Sequence, residues 1–255
     1  MIETHAHLYD DQFKEDIEAV INRAKEQGVE CIYMPNCDST TIEPMMQLVH
    51  KFPGYCIPMM GVHPCYIKED YEKELAIAFE QLQSNKFAAI GEIGLDYHWD
   101  LTFVEQQKKA FAMQIDWAIK MNLPIVIHSR NATQDCIDIV KSKQNGTLRG
   151  IFHCFGDDLG IAQQIIDLGF KLGIGGVLTF KNSGLVEVIK EIDIKHLVLE
   201  TDAPYLAPVP KRGKRNETSY LSYIKSHLAL TKNITEAAVE VITTNNAKEV
   251  FGENA

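Results

Sequence analysis

The chain lacks what several common classes of protein need. It carries 25 lysines and arginines against 35 aspartates and glutamates, a net charge of −10. It therefore has no basic excess for gripping polyanions without selectivity, and any nucleic-acid contact has to come from a local basic patch. No apolar run approaches the ~20 residues of a membrane span, and no charged start leads into an apolar signal segment. The cysteines, Cys31, Cys37, Cys56, Cys65, Cys136 and Cys154, form no CxxC pair and mostly sit inside apolar runs. That usage suits buried, reduced thiols in a cytoplasmic protein. There is no low-complexity tract and no strong internal repeat. The 255 residues are 45% hydrophobic and 24% charged, which excludes disordered, collagen-like and disulfide-scaffold chains.

What is present is a regular alternation. Short apolar runs read as strands at Ile2–Thr4, Val29–Pro35, Cys56–Val62, Phe87–Ile93, Pro124–His128, Gly150–His153, Phe170–Ile174 and His196–Glu200. Amphipathic stretches lie between them, among them Asp11–Gln27, Val104–Met121 and Leu159–Leu168. In the second of these, Phe111, Gln114, Ile115 and Ala118 recur at helical spacing. The strands are apolar on both faces, the mark of parallel strands covered by helices. Eight such units point to an α/β protein with a (β/α)₈ TIM barrel, one domain across residues 1–255. A doubly wound open sheet is the alternative. The one shift in composition, PYLAPVPKRGKRN at Pro204–Asn216, reads as a long loop at the C-terminal mouth of the barrel.

In a barrel, functional groups sit where strands end. The first strand ends in Thr4-His5-Ala6-His7, whose two imidazoles can face one point. The fourth ends in Gly91-Glu92-Ile93-Gly94-Leu95-Asp96. There Glu92 is a carboxylate in a buried stretch, to be paired either with a cation or with a barrel lysine or arginine. The fifth strand runs into His128-Ser129-Arg130, the sixth into His153-Cys154-Phe155 and the eighth into Asp202-Ala203-Pro204. Parallel strands in a closed barrel deliver their ends to one ring, so His5, His7, Glu92, His128, His153 and Asp202 should converge on a metal centre. Six ligand-type side chains exceed the three that one catalytic zinc takes from protein, and suffice for two ions sharing a carboxylate. The donors favour zinc, manganese or iron over an all-oxygen magnesium site, although magnesium can serve a loose one.

In combination and order, these motifs resemble the TatD family of metal-dependent deoxyribonucleases, within the amidohydrolase-like TIM barrels. The resemblance rests on ETHAHL at the start, GVHP at 61–64, GEIGLDYH at 91–98 and EQQ at 105–107. It continues through HSR at 128–130, HCF at 153–155, ETDAPY at 200–205, RGKRNE at 212–217 and NAKEVF at 246–251. It implies that His5, His7 and Asp202 hold one metal and His128 and His153 the other, with Glu92 bridging. It also implies hydrolysis of DNA phosphodiesters, with single strands trimmed from the 3′ end and RNA as a further candidate substrate. The pattern departs from the family at Glu3, Ala6, Asn131, Gly156 and Thr218, none of them a proposed ligand.

The chemistry expected is attack by a metal-activated hydroxide, with Asp202 taking the proton and Glu92 completing the catalytic pair. Arg130 and the basic loop of Lys211, Arg212, Lys214 and Arg215 are candidates for phosphate contacts, Arg212 foremost. His63 is expected to touch substrate rather than metal, and Glu200 and Asp96 to hold ligand histidines in the right tautomer. Neither a membrane nor an obligate protein partner is expected. The competing readings are an amidohydrolase or D-aminoacyl-tRNA ester hydrolase using the same centre, and a non-catalytic metal-binding scaffold.

Overall fold

Why the short apolar runs become strands is plain from their neighbours: each is buried on both sides. The computed structural model describes residues 1–252, so the last three positions of the expected 1–255 domain lie outside the described residues. The strands are β1 (Ile2–Glu3), β2 (Cys31–Pro35), β3 (Cys56–Met59), β4 (Ile90–Asp96), β5 (Ile125–Arg130), β6 (Gly150–Phe152), β7 (Lys171–Ile174) and β8 (Leu197–Leu199). The helices are α1 (Ile17–Glu26), α2 (Ile42–Lys51), α3 (Tyr71–Ser84), α4 (Val104–Met121), α5 (Thr133–Lys143), α6 (Leu159–Asp167), α7 (Leu185–Glu191), α8 (Leu221–Lys232) and α9 (Glu236–Phe251). Each strand is followed by a helix, and α9 is extra.

All pairing is parallel, in the orders β1-β2-β3 and β4-β5-β6-β7-β8. Backbone hydrogen bonds join the two sheets on both sides. Ala88 N–H donates to Pro58 O (3.0 Å) and Gly91 N–H to Met60 O (3.0 Å). At the other seam Thr4 N–H donates to Leu199 O (3.1 Å) and Asp202 N–H to His5 O (3.0 Å). The ring is therefore closed, a (β/α)₈ TIM barrel, and the open sheet is excluded.

Two cores result. The larger lies between strands and helices and includes Ile90, Ile93, Phe111, Ile115, Ile127 and Leu199. The smaller gathers Ile2, Tyr33, Ile57, Met59, Ala89, Val126, Ile151 and Val198 with Ala247, Val250 and Phe251 of α9. Phe251 stacks on Tyr33 with ring centroids 3.8 Å apart, so α9 seals the end of the barrel opposite the strand C-termini. No helix among the described residues is long and apolar enough to cross a membrane.

One element differs from its sequence pattern. The stretch expected as a helix over Asp11–Gln27 begins as a 3₁₀ turn at Asp11–Phe13, and α1 starts only at Ile17. The cause is distant in sequence. Arg215 takes the Gln12 carbonyl, which a continuous helix would give to the Asp16 N–H, and also grips both carboxylate oxygens of Asp16, at 2.7 Å each. The Pro204–Asn216 segment is a loop, as its composition predicts. It is pinned by Asn216 Nδ2, which donates to Thr201 O (2.7 Å) and Tyr205 O (2.6 Å).

Candidate metal centre

Side chains alternate along a strand, and this period carries the inner face of the barrel from apolar to polar. Val126 leads to His128 two residues later, Ile151 to His153, and Val198 to Glu200 and then Asp202. Apolar members fill the inner core, while the polar ones gather at the mouth. Glu92 arrives by another route. Gly91 pairs with Val126 and Ile93 with Ile127, so Glu92 is the extra residue of a β-bulge that turns its side chain inward. Two residues on, the strand passes close to β5 at Gly94: with φ of +145° and the His128 backbone packed against it, a side chain there has no room.

The result is a compact knot of donors. Glu92 is 2% exposed, and its two oxygens face different partners. Oε2 lies 3.1 Å from His5 Nε2 and 3.4 Å from His7 Nε2. Oε1 lies 2.9 Å from His128 Nδ1, 2.8 Å from His153 Nε2 and 3.4 Å from His63 Nε2. Asp202 Oδ1 stands 3.8 Å from His5 Nε2 and 3.6 Å from His7 Nε2. Three overlapping groups are tight enough to hold an ion: His5, His7 and Glu92; His5, His153 and Asp202; and His63, Glu92 and His128. All six expected ligands are thus brought together. His153, stacked on His5 at 3.9 Å, stands between the two halves.

The donor chemistry fits divalent ions. Among the described residues no lysine or arginine pairs with Glu92 or Asp202, which removes the barrel salt-bridge reading of Glu92. The nitrogens of His5 and His7 approach to 3.3 Å, and those of His128 and His153 to 3.4 Å, as donors aimed at a common point do. Burial alone would raise the Glu92 carboxyl. The imidazoles of His153, His63 and His5 and the hydrogen bond with His128 overcome it and hold that carboxyl well below the usual range. Burial pushes the Asp202 carboxyl up to about 6, against the pull of His153 and His7. Two residues here have positive φ without being glycine, Cys154 (50°) and Asp202 (56°), a local strain that commonly collects at working sites.

Hydrogen bonds fix which imidazoles can ligate. His128 Nε2 lies 2.9 Å from Asp96 Oδ2. A carboxylate only accepts, so Nε2 donates to Asp96, and Nδ1, the nitrogen that faces Glu92 Oε1 at 2.9 Å, is the one placed to ligate an ion. His63 has the opposite arrangement. Its Nδ1 accepts from Cys65 N–H at 3.1 Å, leaving the proton on Nε2, which is then a donor and not a ligand.

The centre opens into a cavity of about 1020 Å³ lined also by Tyr9, Tyr66, Trp99, Arg130 and Tyr205. Arg130 is the one lysine or arginine in that lining. Arg212 is exposed and does not line it. Its guanidinium rests 3.7 Å from the Phe180 ring centre, beside the loop after β7. Arg215, expected to be free for phosphate, is committed to Asp16. Sequence reasoning missed Glu3, which is wholly buried and accepts from Thr201 N–H (2.8 Å) and His5 N–H (3.2 Å). Its position two before His5 was the available signal. Trp99 was also missed; it stands three residues after Asp96, at the end of the strand that carries Glu92, and that position was the available signal.

A closed barrel with a histidine and carboxylate knot at its mouth defines the class of metal-dependent TIM-barrel hydrolases. The chain belongs to the TatD-related DNase family, whose profile matches residues 2–252. It is 41% identical over 255 residues to an uncharacterized metal-dependent hydrolase, YabD, of Bacillus subtilis, covering 100% of both chains. It is 31% identical over 258 residues to the 3′-5′ ssDNA/RNA exonuclease TatD of Erwinia tasmaniensis, covering 98% of this chain and 99% of that one. Among solved structures, the TatD homologue YJJV of Escherichia coli superposes with a TM-score of 0.92 at 26% identity, over 98% of this chain and 97% of the other.

Proposed function

We propose that this metal-dependent hydrolase cleaves phosphodiester bonds of single-stranded DNA, working inward from the 3′ end with two divalent ions. The observation that carries the two-ion reading is the division of Glu92, with one oxygen toward His5 and His7 and the other toward His128 and His153. On this reading His5, His7 and Asp202 hold one ion, His128 and His153 the other, and Glu92 both. Zinc or manganese suits these donors, and magnesium suits them less well. Ions held there supply Lewis acidity, which acidifies a water toward neutral pH and neutralises phosphoryl charge.

The chain's own groups do the rest. Asp202 takes the proton of the attacking water and orients it. His63 donates from Nε2 to substrate, because its Nδ1 is occupied. Arg130 meets the negative charge that grows on the phosphoryl oxygens. Arg212, outside the cavity, contacts phosphates further along the strand. The six unpaired thiols suit the reducing cytoplasm.

The name of the Erwinia relative supports nucleic acid as the substrate. The test is a substrate panel with manganese or zinc: 3′- and 5′-labelled single-stranded DNA, RNA, a D-aminoacyl-tRNA and simple amides. Stepwise loss of the 3′ label is expected. Ester or amide cleavage without phosphodiester cleavage would reverse the assignment.

A further inference from the structure

Trp99 is 71% exposed, yet it lies in the wall of the cavity that holds Glu92 and His128. Leaving an indole in water forgoes a large burial gain, and such a residue in a concave site is a candidate binding surface. The loop around it is firmly held. Before it, Tyr97 Oη donates to Asp135 (2.8 Å) and His98 N–H to Asp96 (2.9 Å). After it, Asp100 pairs with Lys68 at 3.0 Å. Between these anchors the indole stands in solvent, and of the exposed residues in this loop it is the one that lines the cavity.

Arg130 lies beside it, its guanidinium 5.2 Å from the indole ring centre. Among the described residues, Arg130 has no carboxylate partner and its side chain makes no hydrogen bond. It is an uncommitted cation on a chain of net charge −10. On β5 it follows His128 by two residues, on the same face and about 7 Å further out, within reach of a single nucleotide.

We propose that Trp99 and Arg130 form a nucleotide subsite. An unpaired base lies on the open face of Trp99, and Arg130 takes the phosphate beside it. Every base has a face to stack, so the subsite tolerates any sequence. A base paired in a duplex is held to its partner and its stack, and even a terminal pair must open before its base can reach Trp99, so the subsite selects unpaired ends. This rests on the nucleic-acid reading above and adds the residue that sets strand preference.

The test uses the intact protein and two oligodeoxynucleotides, one normal and one whose last few 3′ nucleotides are abasic. Trp99→Ala should raise KM for the normal oligonucleotide roughly 5- to 150-fold and leave kcat unchanged, because the indole touches no reacting atom. Trp99→Phe should restore most of the loss. The abasic oligonucleotide should bind wild type and Trp99→Ala equally weakly, and the preference for single strands over blunt duplex should shrink in Trp99→Ala. Tryptophan fluorescence titration in chelator reads stacking independently of hydrolysis. Quenching by the normal but not the abasic oligonucleotide supports the subsite even if no DNA is cut, in which case only the hydrolytic reading falls. DNA cleavage with an unchanged KM in Trp99→Ala, and equal handling of the two oligonucleotides, overturns the subsite and leaves the hydrolytic reading intact.

Discussion

Glu92 has no substitute within its reach, since each of its oxygens serves a different set of imidazoles. Glu92→Ala should lower hydrolysis by more than ~100-fold, the upper range for losing an outer partner of a metal ligand. Its melting temperature without metal should stay near wild type, because the inner apolar core lies beneath the knot. Steady-state rates beside thermal melts check both halves. Asp96→Asn addresses the tautomer argument. An amide can present its carbonyl to His128 Nε2 but no longer fixes the proton there with a full charge. Metal affinity should fall roughly 10- to 100-fold and activity should return as metal is raised, in a titration of rate against metal concentration. His63 is where residue type alone misleads. Its nitrogen is close enough to be counted with the ligands, and only the hydrogen bond from Cys65 N–H reveals that it carries the wrong proton for ligation.

At the level of elements, the ring of strands was largely legible. Apolar runs ending in one polar residue marked β5, β6 and β8, and period-two alternation carried the inner face from Val126 to His128 and from Ile151 to His153. The bulge at Glu92 was not legible, because Gly91-Glu92-Ile93 reads as ordinary alternation until the pairing with β5 is known. The late start of α1 was equally hidden, since it depends on Arg215 some two hundred residues away. The same distance effect hid the pairing of Arg215 with Asp16, which makes that residue of the basic loop a tether. The role of α9 follows from packing: Phe251, 7% exposed, closes the barrel by stacking on Tyr33. Phe251→Ala should cost about 3–5 kcal/mol of stability, read as a lower midpoint in urea unfolding. The kcat of the fraction that remains folded should be unchanged, because the metal knot lies at the other end.

Across the whole molecule, the excess of acid, a net charge of −10, leaves phosphate contacts to cations at particular places. Arg130 lines the cavity, whereas Arg212 lies outside it, so their losses should differ in kind. Arg212→Ala should weaken binding to oligonucleotides uniformly across sequences and reduce the slope of log affinity against log salt by about 0.7, one single-strand phosphate. Anisotropy titrations at several salt concentrations measure it, and an unchanged slope would demote Arg212 to a structural cap on Phe180. The central claim is that strand ends spread over two hundred residues build adjacent positions for two ions around one shared carboxylate. Anomalous diffraction from crystals loaded with zinc or manganese tests it most directly. Two peaks about 3.5–4 Å apart, one on either side of Glu92, are expected. A single peak, or ions bound away from Glu92, would contradict it.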